Sequence, residues 1–171
     1  MGGENESYKQ QIIITDMSKT IISSFEELKA LEGKEVGVSD FHTFTQEQIN
    51  LFADATLDHQ WIHCDVERAK AESPFGNTIA HGYLTLSLLP HLWDQIVEVR
   101  NLKDQINYGI EKLKYNQPVL VNSRVQLRVH VNSVVNLRGT VKASMGVRLE
   151  IDGNRKPAYE GEIIFLYHFL S

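Results

Sequence analysis

From Val119 to Val131 every odd position is apolar except Ser123, while after Leu120 the even ones are Asn122, Arg124, Gln126, Arg128 and His130. A period of two predicts a strand with one buried and one wet face. Val141, Ala143, Met145, Val147, Leu149 and Ile151 repeat the alternation, Asp152-Gly153-Asn154 offers a tight turn, and a last strand is expected from Ala158 to Leu170. Long one-sided strands in series favour an antiparallel sheet whose apolar face needs a cover. That cover is expected just after His81-Gly82, where Leu84, Leu86, Leu88, Leu89, Leu92, Trp93, Ile96 and Val97 surround nearly the whole helical cylinder. An all-round apolar helix is a buried one. Pro90 lacks a backbone donor and is expected to kink or break it. Upstream, Ser24 with Glu27 has capping-box spacing before FEELKALEG, which Gly33 would end, and Thr45 with Gln48 opens QEQINLFADAT, where Ile49, Phe52 and Ala53 share a face. The expected class is α+β, with a sheet wrapped around a central helix.

At 171 residues the chain has room for one ordinary domain and one core. Residues 23–171 are taken as that domain and residues 1–22 as an N-terminal arm. Its short apolar run, Ile12 to Ile14, either frays or covers an edge of the core. The net charge of -5 has the wrong sign for a nucleic-acid or anionic-membrane partner, although a small basic patch is still able to hold a phosphate group. No apolar run approaches the roughly 20 residues of a membrane span, and the polar first residues do not resemble a secretion signal, so a cytoplasmic protein is expected. The lone cysteine, Cys64, excludes an internal disulfide and fits a reducing compartment.

Chemistry concentrates between the second capped helix and the buried one, where Asp58, His59, Gln60, His63, Asp65 and His81 crowd together. On an irregular turn Asp58 and His63 can converge on one small molecule with Gln60 beside them, and a carboxylate and an imidazole sharing a water form an acid–base pair without a metal. Each also has a plain structural reading as a cap or a satisfied hydrogen-bonding group. His59 and His63 have the i, i+4 spacing of a zinc-protease helix, but Gln60 stands where that chemistry needs a carboxylate and no third ligand follows, so no metal is expected. Cys64 reads as a small apolar filler. Gly82 opens the buried helix, where the first amides lack internal partners, so it serves either an oxyanion or close packing. Arg124, Arg128, Lys142 and Arg148 lie on wet strand faces and read as solvated surface.

The run from Asp58 to Asp65, together with SPFGNTIAHGYLTLSLLP from Ser73 to Pro90, resembles the MaoC-like family of (R)-specific enoyl-CoA hydratases, in particular its NodN-like branch. The resemblance extends from about Gly33 to Leu166. It implies a hot-dog fold, usually dimeric, and (R)-specific hydration of a trans-2-enoyl-CoA thioester with no cofactor. It places the catalytic aspartate at Asp58, the catalytic histidine at His63, the oxyanion glycine at Gly82 and the assisting amide at Gln60. Many members carry D-x-N-P-x-H, where this chain has Gln60 and Trp61. Trp61 and Tyr83 are placed to narrow the pocket. Two alternatives share the fold: a thioesterase, against which the first carboxylate inside the buried helix is Asp94, beyond Pro90, and a non-catalytic acyl-thioester binding module.

Overall fold

The computed structural model describes residues 19–170, so the Ile12 to Ile14 run lies outside the described residues. The chain enters through β1 (Thr20–Ile22), then α1 (Phe25–Lys29), β2 (Glu35–Val38), β3 (His42–Thr43) and α2 (Gln46–Thr56). Both capping devices form, with a variation. Ser24 Oγ accepts from the Glu27 amide, but the Glu27 carboxylate accepts from the amide of Ser23 at 2.6 Å, one residue upstream of the cap. Thr45 Oγ1 accepts from the Gln48 amide, while the Gln48 side chain bonds His42. Each helix start is therefore fixed by a side-chain acceptor for an amide that the helix itself leaves unpaired. Ile49 and Ala53 on α2 are fully buried, as their spacing predicts.

Two short helices, α3 (Trp61–Cys64) and α4 (Val66–Glu72), follow. The apolar segment then forms α5 (Gly82–Ser87) and α6 (Leu89–Ile96), which leads into β4 (Val97–Val99). The central helix is thus broken at Leu88, with Pro90 in the first turn of α6, the position where its missing N–H costs nothing. Leu89, Leu92, Trp93 and Ile96 are buried, whereas Tyr83 is 74% exposed and Leu86 half-buried. The all-round apolar character of the segment therefore serves two surfaces: α6 fills the core and α5 walls an open cleft.

The sheet comprises β5 (Leu102–Tyr115), β6 (Arg124–Leu137), β7 (Thr140–Ile151) and β8 (Tyr159–Phe169), in the order β2-β6-β7-β8-β5 with β3 also paired to β6, all antiparallel. The alternation holds along β6 and β7, whose Val125, Leu127, Val129, Val131, Met145 and Leu149 line the inner face. β6 starts at Arg124 and not at Val119, because Val119 to Ser123 turns past the Thr78–Ala80 segment, with Val121 N donating to Thr78 O and Ala80 N to Val119 O. β1 runs parallel to β4, with Ile22 in the core. Among the described residues no helix is long and apolar enough to cross a membrane.

Leu92, fully buried on α6, holds the helix layer against this face. Leu92→Ala is expected to lower unfolding free energy by about 2–5 kcal/mol through lost burial and the cavity left behind. Leu51→Ala on the exposed side of α2 is expected to change it by less than about 0.5 kcal/mol. Urea denaturation of both variants checks the contrast.

Candidate active site

Asp58 directly follows Leu57, a left-handed residue (φ 63°) that caps α2 and turns the chain sharply. Asp58 itself is exposed. Five residues later, on α3, His63 is only 8% exposed. Its Nδ1 lies 2.7 Å from the carbonyl oxygen of Ile79. A carbonyl only accepts, so Nδ1 carries the proton and Nε2 is left with a lone pair. The segment is pinned from both sides: Ile79 N donates to Ile62 O at 3.1 Å, and Gln46 Nε2 on α2 donates to His63 O at 2.7 Å. The Gln46 carbonyl in turn accepts from the hydroxyl of buried Thr78.

His81 completes the cluster. Its Nε2 donates to the backbone carbonyl of Asp58 at 2.9 Å, which fixes the tautomer and leaves Nδ1 buried with no partner. The rings of His63 and His81 stack with centroids 3.8 Å apart and 26° between planes. One carboxylate oxygen of Asp58 and one ring nitrogen from each histidine lie within 4.8 Å of one another. Burial pushes the His63 pKa below the usual histidine range. The Ile79 carbonyl and the Asp58 charge oppose that push, and His81 adds to it. His63 is therefore neutral at pH 7 and available as a base.

Three donors at this distance raise the question of a metal. Imidazole binds a metal in the ring plane, and two rings stacked almost parallel aim their lone pairs side by side, not at one point. His59 offers no help, since it pairs with exposed Asp54 at 2.9 Å and precedes the first turn of α3. The arrangement suits a hydrogen-bonded water better than a chelated ion.

Gly82 is the first residue of α5, so its N–H belongs to the amides a helix leaves free. His63, Ala80, Gly82, Thr85, Tyr115 and Val119 line a cleft of about 340 Å³. A Cβ at position 82 would come within 3.2 Å of the Tyr115 ring, so the glycine also serves close packing. Beyond Tyr115, which meets Tyr83 edge-on at 6.5 Å, a larger cleft of about 640 Å³ runs between α5, α6 and β5 and is walled by Leu86, Leu89, Ile110 and Phe165.

Asp58, His63 and Gly82 thus lie at one place. Gln60 does not join them by a hydrogen bond: it is exposed, holds the N-cap position of α3 and makes no side-chain cap contact. Asp65 caps α4 by accepting from Arg68 N. Trp61 sits under the Arg68 guanidinium at 4.4 Å and is absent from both cleft walls, whereas Tyr83 lines the larger one. Burial, aided by Asp54 and Asp58, pushes the Cys64 thiol pKa up, away from a nucleophilic thiolate. Sequence reasoning assigned no role to His81, Gln46 or Tyr115. His81 was signalled by its place beside Gly82, but Gln46 and Tyr115 reach the site only through the fold.

Residues 27–151 match the MaoC like domain. The chain is 50% identical over 145 residues to 3-hydroxyacyl-thioester dehydratase Z of Mycobacterium tuberculosis, covering 84% of this chain and 95% of that protein. It is 40% identical over 148 residues to nodulation protein N of Rhizobium meliloti, covering 85% and 92%. Among solved structures, an R-hydratase from Pseudomonas aeruginosa superposes with a TM-score of 0.70 at 20% identity, covering 86% of this chain and 87% of that one, which establishes the hot-dog fold. A family match spanning most of the chain, joined to relatives covered almost end to end, shows that it belongs to the MaoC-like dehydratase family.

Proposed function

We propose that the protein is an (R)-specific hydratase of trans-2-enoyl-CoA thioesters, working equally in the reverse, dehydrating direction. The observation that carries this function is the approach of an Asp58 carboxylate oxygen to within 4.8 Å of a ring nitrogen of neutral, backbone-anchored His63, whose cleft is also lined by Gly82, the first residue of α5. The acyl-thioester chemistry named for the mycobacterial relative agrees with it.

In hydration, a water held between Asp58 and His63 gives a proton to this pair while its oxygen bonds to C3 of the enoyl group. The C2–C3 π electrons move toward the thioester carbonyl, whose oxygen gains negative charge opposite the Gly82 N–H. The pair then returns one proton to C2, so the protein ends as it began and one water has been added. His81 orients the Asp58 backbone, and its stacking on His63 disfavours a second imidazolium there. The larger cleft, apolar and adjacent, suits the acyl tail. Thioester hydrolysis gains no support, because the carboxylate that meets His63 and His81 is Asp58, ahead of the helix, while Asp94 stands outside that cluster.

A second copy is proposed to pair along β5, which ends the sheet order and exposes Ile106, Tyr108 and Ile110. Ile110→Glu is expected to shift the light-scattering mass from two chains to one.

Asp58→Asn and His63→Gln are each expected to slow loss of the conjugated enoyl-thioester absorbance by about 10²–10⁴-fold, with thermal melting of the variants confirming that they fold. Wild-type turnover in either would sink the mechanism, as would an (S)-3-hydroxy product on chiral analysis. Because neutral His63 is the working form and its pKa is lowered, kcat/KM for hydration should be full at pH 7. It should fall only as pH drops through a value below about 6.5.

Gly82 also permits a test of its amide. His81 has an extended backbone (φ -58°, ψ 136°), compatible with a following proline, and the first helical position tolerates one. Gly82→Pro removes the N–H, whereas Gly82→Ala adds the same Cβ beside Tyr115 and keeps it. The proline variant is expected to have a kcat about 10²–10³-fold below that of the alanine variant.

A further inference from the structure

Three clefts follow one another from the catalytic pair to the β7–β8 turn. The catalytic cleft shares Gln117 and Pro118 with a second of about 410 Å³, and the second shares Ile151 and Asn154 with a third of about 260 Å³. The turn itself spans the series, since Ala158 walls the first cleft and Arg155 the third. It is fastened to the catalytic wall: Asn116 N donates to Ala158 O at 2.8 Å, and the Gln117 side chain donates to Lys156 O.

Charge changes along this path. The third cleft is lined by Arg148 and Arg155 and by Glu150 and Asp152. Both carboxylates are already neutralised from outside the lining, Glu150 by Arg128 at 2.9 Å and Asp152 by Arg124 at 3.1 Å. Arg148 reaches carboxylates only at 3.6 and 3.7 Å, and among the described residues Arg155 and Lys156 enter no ion pair. On a chain of net charge -5, this end of the path is a local excess of cations.

We infer that the third cleft receives the phosphorylated nucleotide end of coenzyme A, with Arg148, Arg155 and Lys156 against its phosphates and the pantetheine arm along the middle cleft. The reach fits. From Ala158 to Arg155 is three residues, at most about 11 Å of chain, while a pantetheine arm has the bond count of about four residues and extends about 14 Å. This assignment rests on the hydratase function proposed above and identifies the carrier that the same site reads.

The test is the double variant Arg155→Glu, Lys156→Glu, assayed with crotonyl-CoA, crotonyl-4′-phosphopantetheine and crotonyl-pantetheine. Lys34→Glu, Lys142→Glu serves as a charge-matched control. The expected result is a rise of tenfold or more in KM for the CoA thioester, with kcat within twofold, a smaller rise for the phosphopantetheine thioester, and no change for crotonyl-pantetheine or in the control. An unchanged KM for crotonyl-CoA, or an equal rise for all three thioesters, overturns the inference. Equal sensitivity of the CoA and phosphopantetheine thioesters overturns the nucleotide assignment in favour of the single phosphate common to any carrier. Calorimetric titration with free CoA reads the same cleft without turnover, and tenfold weaker binding by the variant than by the control supports the site. Wild-type protein that binds CoA in this way yet hydrates none of the thioesters would leave the nucleotide cleft standing and remove only the hydratase function.

Discussion

The hydrogen bond from His63 Nδ1 to the Ile79 carbonyl carries more of this molecule than its single contact suggests. It ties an irregular connector to the segment that enters α5, and so brings Asp58 and Gly82, 24 positions apart, to one place. It also selects the tautomer. A neutral ring held by its Nδ1 proton has Nε2 free to accept a hydrogen bond. The bonds around it are reciprocal, with Ile79 N given to Ile62 O and Gln46 bridging His63 O to Thr78. A connector with no strand and only one helical turn at the histidine has few other means of being rigid. Its precision comes from buried polar groups that would each cost about 1–3 kcal/mol if left unpaired.

The stacked histidines set the electrostatics in the same stroke. Two imidazoles 3.8 Å apart resist carrying two protons, and burial makes even one costly. The Asp58 charge pulls the other way. His63 is thereby kept neutral but close to a carboxylate, which is what a base that must also release its proton requires.

Much of this was legible in the chain itself. β6 and β7 alternate cleanly because one face is buried and the other wet, and the capping residues of α1 and α2 announce their helices by local chemistry alone. Pro90 foretold the break in the central segment. Asp58, His63 and Gly82 were recognisable because their spacing and neighbours match a known family. β5 was not legible: against β8 it carries one extra residue at each of three places, so its side chains change face and no period of two survives. Nor were Tyr115 and Gln46, whose neighbours in the site are distant in sequence and whose residue types carry no signal for it. The segment from Gly82 to Ile96 also shows the limit of an amphipathicity argument. An apolar stripe that lines an open cleft and one that fills a core look the same in one dimension.

The three bulges of β5 have a consequence for which molecules can attach at the sheet's border. A straight, regular rim of unpaired amides and carbonyls is a template for any extended peptide, including a misfolded one. Here Lys112 at the third irregularity takes a left-handed conformation, φ 53°, and the rim bends as it goes. A flat intruder would find its amides out of step within a few residues. Only a strand distorted in the same rhythm would keep pace along the whole length, so the rim is a poor template for regular strands.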